Sequence, residues 1–152
     1  MGARVIAVIG AGECDAGTAE LAQEVGRRLA LAGCTLVTGG LGGVMEAASR
    51  GAAEAGGLVV GLLPGSLASD ANPHVSIAVA TGMGDARNAV LANTAEGFVA
   101  VSGSYGTLSE IAFALKRGKR VVALGSWEID PKVVRVETAE EAVRQLLDAP
   151  AP

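Results

Sequence analysis

Apolar residues in this chain fall into two kinds of run. Short runs, apolar but for Arg4, Thr35 and Arg120 at their starts, occupy 4–9, 35–37, 58–63, 97–101 and 120–124. Unbroken apolar strands, rather than alternating ones, suit a parallel sheet covered on both faces. Between them lie longer stretches with a helical repeat. Leu21, Val25 and Leu29 recur every fourth residue while Gln23, Glu24, Arg27 and Arg28 take other faces, which predicts a helix over 18–31 that stops at Gly33. Similar spacing predicts helices over 44–55, 85–94, 107–117 and 138–147. Gly56-Gly57 ends the second of these, and Thr138-Ala139-Glu140-Glu141 opens the last as a capping box. Further strands are expected at 75–79 and, briefly, 133–136, and the polar stretch 64–73 reads as a loop serving as lid or rim. The alternation implies an α/β fold: a single Rossmann-like domain over 1–147, three-layer α/β/α, with a mostly parallel sheet of six or seven strands. Residues 148–152 are expected to be a disordered tail.

Ligands of such sheets bind beyond the carboxyl ends of the strands, and there the glycines concentrate. Gly10-Ala11-Gly12 follows the first strand. A dinucleotide fingerprint would need glycine at position 15, where Asp15 stands, so a tight exit from the strand explains this loop equally well. Gly39-Gly40-Leu41-Gly42-Gly43 follows the second strand and leads straight into a helix. Four glycines in five positions let backbone amides approach a phosphate; a helix packed tightly on the sheet would use them too. The third turn, Ser102-Gly103-Ser104-Tyr105-Gly106-Thr107-Leu108-Ser109-Glu110, adds the hydroxyls of Ser104, Thr107 and Ser109 to a helix start whose dipole favours an anion. Thr107 to Glu110 also fits a capping box, in which Glu110 would merely satisfy the helix start. Gly82-Met83-Gly84-Asp85-Ala86-Arg87-Asn88 puts an arginine in the first turns of another helix, where it can hold phosphate bidentately, or pair with Asp85 or Glu46, or stay solvated. Two phosphate-type turns in one small domain point to a nucleotide or sugar-phosphate ligand.

Composition narrows this reading. The 152 residues include 22 glycines but only one Trp, one Tyr and two Phe, so base stacking would rest on aliphatic side chains or Tyr105. A net charge of −4 offers no basic footprint for nucleic acid. No apolar run reaches the roughly 18 residues of a membrane span, and 5–9 is too short for a signal peptide, so a cytoplasmic protein is expected. Cys14 and Cys34 make neither a disulfide framework nor a zinc site; Cys34 reads as a packing residue, and Cys14 lies in a site loop. His74 is the single histidine, no G-x-S-x-G elbow occurs, and no metal constellation is present.

Taken together, 38–47, Arg87-Asn88 and 103–110 resemble the Rossmann-like superfamily of the Lonely-guy (LOG) cytokinin-activating phosphoribohydrolases. The similarity runs over about 5–124. It is nearest a subgroup that includes the molybdenum-cofactor carrier proteins, with T-G-G-G-G-G-V-M-E-A, then G-M-G-x-A-R-N, then G-G-x-x-G-T-L-S-E. The resemblance implies that Gly10, Gly12, Gly39, Gly40, Gly42, Gly43, Met45, Glu46, Arg87, Asn88, Gly103, Ser104, Tyr105, Gly106 and Thr107 surround the ligand. It implies that Arg87 and Glu110 match the pair that cleaves the N-glycosidic bond of a nucleoside 5′-monophosphate, giving base and ribose 5-phosphate. The carboxylate would stabilise an oxocarbenium-like centre or position water, and the arginine would anchor phosphate or assist departure. Three departures stand against hydrolysis more than against binding: Ser102-Gly103-Ser104-Tyr105-Gly106-Thr107 where hydrolases have P-G-G-x-G-T, Arg87-Asn88 where they have R-K, and Leu41 where glycine is usual. The alternative is a non-catalytic carrier or sensor of molybdenum cofactor or a related nucleotide, with that cofactor as cargo and no cofactor required. The name lysine decarboxylase attached to many relatives does not fit, since a pyridoxal enzyme needs a Schiff-base lysine with partners for the ring. Here the lysines are Lys116, Lys119 and Lys132, the first two at a helix's end. Relatives are homodimers or larger, and the helices over 44–55 and 85–94 are the expected pairing surfaces.

Overall fold

The computed structural model describes residues 2–148, so the expected tail lies outside the described residues except for Asp148, the C-cap of the last helix. The elements run β1 Val5–Gly10, α1 Ala16–Leu31, β2 Thr35–Thr38, α2 Val44–Glu54, β3 Val59–Leu63, β4 Ile77–Ala80, α3 Arg87–Thr94, β5 Gly97–Val101, α4 Tyr105–Lys116, β6 Arg120–Leu124, β7 Val134–Arg135 and α5 Ala139–Leu147. They build one seven-stranded sheet in the order β4-β3-β2-β1-β5-β6-β7. Every neighbouring pair is parallel. The chain steps outward from β1 to β4, then returns to the other side of β1 to start β5. The switch point lies between β1 and β5, and the β1, β2 and β5 turns all open on the same carboxyl edge.

The unbroken apolar strands are buried on both sides. On β1, Ile6 and Val8 face the core beneath α1, α2 and α5. Ala7 and Ile9 face a second core beneath α3 and α4. β4 differs from this pattern: Ile77 and Val79 are half-open to solvent, because the short α3 leaves the sheet's edge uncovered. β4 also starts two residues later than expected. Asn72 Oδ1 accepts from the His74 amide at 3.0 Å, which holds a turn, and pairing begins only where the Ser76 N–H donates to Val59 O at 2.8 Å. The apolar sides of the two helices expected to pair between copies are consumed inside the monomer: Val44, Ala48 and Ala52 of α2, and Leu91 and Ala92 of α3, lie in its own cores. No helix among the described residues is long and apolar enough to cross a membrane.

Two helix starts differ from the sequence expectation. A 3₁₀ turn, Gly84–Ala86, precedes α3, so Arg87 is its first residue. α4 begins at Tyr105, and its N-cap is Ser104, whose N–H donates to Thr107 Oγ1 at 3.2 Å. Thr107 therefore does the work assigned to Glu110 in the Thr107–Glu110 box. Glu110 falls one turn further on, buried, with no role in the cap. In α5 the Thr138 hydroxyl accepts from the Glu141 N–H at 3.1 Å as expected, while the Glu141 carboxylate reaches past the cap to the Glu137 N–H.

Candidate functional site

The first two glycine turns are stacked on each other. A Cβ on Gly43 would collide with Ala11 O, and one on Gly10 would sit 2.6 Å from Val101 O, so tight packing accounts for both of these glycines. The Val44 N–H is spent on Ala11 O at 3.0 Å and the Gly40 N–H on Thr38 Oγ1 at 3.0 Å. The amides of Leu41, Gly42 and Gly43 meet no protein acceptor among the described residues. Asn72 grips the turn from outside, donating from Nδ2 to Leu41 O at 2.9 Å and from its amide to Gly40 O at 2.9 Å. The 64–73 loop is thus a rim fastened to the turn. Leu41 is not among the residues with positive φ, which is why a side chain is accepted there.

Gly39 serves a different purpose. A Cβ there would collide with Arg87 Nη1 and lie 2.7 Å from Met45 Sδ. The Arg87 guanidinium therefore lies in the space that glycine leaves at the end of β2, against Met45. It pairs with neither Asp85 nor Glu46. Its Nε is buried and has no acceptor among the described residues. Burial lowers the Arg87 pKa, with Glu110 and then Asp85 pulling it the other way. Glu110 responds in kind: burial pushes its pKa up to about 7, and Arg87 offsets only part of that. The two charges influence each other without forming an ion pair. A half-buried cation with an unspent, buried donor near open backbone amides is an arrangement that an anion completes.

In the third turn, the Ser102 N–H goes to Leu124 O at 3.0 Å and the Leu108 N–H to Ser104 O at 3.1 Å. The amides of Gly103, Tyr105 and Gly106 have no protein acceptor among the described residues. Asn88 is buried and its amide nitrogen is used inside the fold: Nδ2 donates to Ser109 Oγ at 3.0 Å, and Ser109 Oγ donates to Gly106 O at 2.9 Å. Asn88 thereby ties α3 to the first turn of α4 and sets Arg87 beside Glu110. A lysine at this position could not accept that internal role without burying its charge.

The model of the SLOG cluster4 family matches residues 3–151. The chain belongs to that family. It is 46% identical to an uncharacterized protein of Archaeoglobus fulgidus over 144 residues, which is 95% of each chain. It is also similar to the molybdenum cofactor binding protein of the phototrophic bacterium Rippkaea orientalis, with 33% identity, a TM-score of 0.92, and 97% of this chain and 98% of the other covered. The molybdenum cofactor carrier protein of Chlamydomonas reinhardtii is 34% identical, with a TM-score of 0.85 over 96% of this chain and 99% of that one.

This SLOG cluster4 protein places the remaining expected residues elsewhere. Glu46, with Glu13, Cys14, Arg50 and His74, lines a cavity of about 490 Å³ beside the starts of α1 and α2, which Gly43 of the second turn also borders. Partial burial and the neighbouring Asp15 raise the pKa of the exposed Cys14 thiol. Gly12 lies at the outer end of Met45, with its Cβ position 3.9 Å from Met45 Cε. Tyr105 is almost fully exposed, stacked on Trp127. Among the described residues no three His, Cys, Asp or Glu side chains are grouped as a metal ion would need. Two residues of the carboxyl edge escaped sequence reasoning. Asn72 carried a signal in its Asn-Pro turn dipeptide, whereas Trp127 carried none beyond being the single tryptophan.

Proposed function

We propose that this protein holds a small phosphorylated ligand of nucleotide type as a carrier, with molybdenum cofactor or a related compound as the cargo class. The observation that carries the reading is the half-buried Arg87 guanidinium, lodged in the space Gly39 leaves, with its buried Nε unpartnered. Open amides on two turns of the same sheet edge supply the rest of an anion cradle. The similarity to a molybdenum cofactor binding protein and to a carrier, each over nearly the whole of both chains, supports cargo binding. These residues fit such a group through its phosphate, whose charge Arg87 and the amides would neutralise.

A second reading, N-glycosidic hydrolysis of a nucleoside 5′-monophosphate, is favoured by one observation. Glu110 is held at a pKa of about 7, where a carboxyl can exchange a proton at neutral pH, and it stands beside Arg87. A thermal-shift panel of molybdopterin, adenosine 5′-monophosphate, ribose 5-phosphate and a single-stranded oligonucleotide, with free base followed in the same wells, separates the readings. The carrier reading expects stabilisation by the phosphorylated small molecules, loss of that stabilisation in Arg87→Ala, no base release and no effect of the oligonucleotide. Base release that disappears in Glu110→Gln would establish the enzyme instead. Light scattering of the same samples tests the inference that copies pair as homodimers or homotetramers. The free apolar side chains Leu67, Ile77, Val79 and Met83 lie on and around β4, rather than on the expected helices.

A further inference from the structure

The chain's single tryptophan and single tyrosine are brought together at the start of α4. The rings of Tyr105 and Trp127 stack with centroids 6.3 Å apart and planes at 22°. Trp127 Nε1 donates to Ser104 O at 3.0 Å, so the indole is fastened to the residue that caps the helix. Beside it lies a cavity of about 220 Å³ lined by Ser102, Gly103, Gly125, Ser126 and Trp127. The turn after β6 thus forms a wall facing the turn after β5. Within that wall Ser126 Oγ is buried and has no hydrogen-bond partner among the described residues. A buried hydroxyl left unpaired is costly, and the stacked aromatic pair beside it is partly open to water.

We infer that this cavity receives the planar nitrogen heterocycle of the ligand, with Trp127 as the stacking surface and the Ser126 hydroxyl bonded to the ring's polar edge. The inference rests on the phosphorylated-ligand reading above and adds where the ring goes. Sequence reasoning left stacking to aliphatic side chains or Tyr105; the structure supplies an indole held in place by a hydrogen bond and backed by Tyr105. The cavity is smaller than the roughly 300–1,000 Å³ that encloses a whole drug-sized ligand, and so suits one ring system rather than an entire nucleotide. Ring and phosphate would then meet at Ser102-Gly103, shared between the cavity and the amides of Gly103, Tyr105 and Gly106. The chemical class follows: a mono- or bicyclic heterocycle with a donor–acceptor edge, joined to a phosphate.

The probes are guanosine 5′-monophosphate, whose base shares its amino-oxo-pyrimidine edge with pterins, ribose 5-phosphate and inorganic phosphate. Binding is followed by calorimetry and by the fluorescence of Trp127. Guanosine 5′-monophosphate should quench and shift the tryptophan emission and bind more tightly than ribose 5-phosphate. Ser126→Ala should weaken guanosine 5′-monophosphate about five- to tenfold, and Trp127→Ala about tenfold or more, each leaving ribose 5-phosphate affinity unchanged; Trp127→Phe should keep most of the ring's affinity. Equal affinity for the two ligands, or variants that weaken both alike or neither, would overturn the ring subsite while leaving the phosphate reading in place. Failure of all three probes to bind would overturn both.

Discussion

Ser102 is the one non-glycine residue with positive φ among the described residues, at 52°. A side chain in this conformation is pushed against the carbonyl that follows. Its N–H donates to Leu124 O, a bond that glycine would keep. Ser102→Gly should therefore raise stability by about 1 kcal/mol, read as a shift in the urea midpoint, without weakening phosphate binding. Glu110 is the other residue under tension. Its carboxyl titrates at about 7 in the fold and at the ordinary 4.5 when unfolded. Raised on folding, it contributes stability that is fully present below 4.5 and is lost as pH rises through 7. The full loss is on the order of 3 kcal/mol. Glu110→Gln should gain stability relative to wild type between about pH 5 and about pH 8 by that order; an unchanged difference between the two proteins across that range would show that Glu110 is not titrating there.

Helices α1 and α2 make the most extensive contact of any two elements among the described residues, and glycines make it possible. A Cβ on Gly26 would collide with Ala48 O, and one on Gly51 with Gln23 O. Gly26→Ala or Gly51→Ala adds about 1 kcal/mol of helix propensity but forces two backbones apart. Each should lose at least about 2 kcal/mol net in denaturant unfolding. Gly17, near the exposed start of α1, is the control: its Cβ would lie 3.7 Å from Asp15 Oδ1, so Gly17→Ala should be neutral or stabilising. These glycines were not legible as contacts, since a helix pattern shows which face is buried but not how near the partner comes. The elements themselves were legible because buried parallel strands and amphipathic helices have distinct periods. The starts of α3 and α4 were not: a 3₁₀ turn takes up Gly84–Ala86 before α3, and Ser104 and Thr107 offer rival caps for α4 within one turn, between which only packing chooses.

On the scale of the whole molecule, the order of elements and the carboxyl-edge turns could be read from the chain. Which polar groups those turns bring together could not, because Arg87, Gly39 and Glu110 meet only through the sheet order. The two anion turns come from opposite sides of β1, one after β2 and one after β5. Neither can face the other until the return crossover through α3 is complete and β5 has docked on β1. A chain folded only as far as β4 carries one half of the cradle and has nothing to offer a ligand. Cargo should therefore act late, as a clasp rather than a template. Stopped-flow measurements should find the folding rate unmoved by ligand and the unfolding rate slowed in proportion to occupancy. Release of the cargo would then leave the protein at its shortest lifetime.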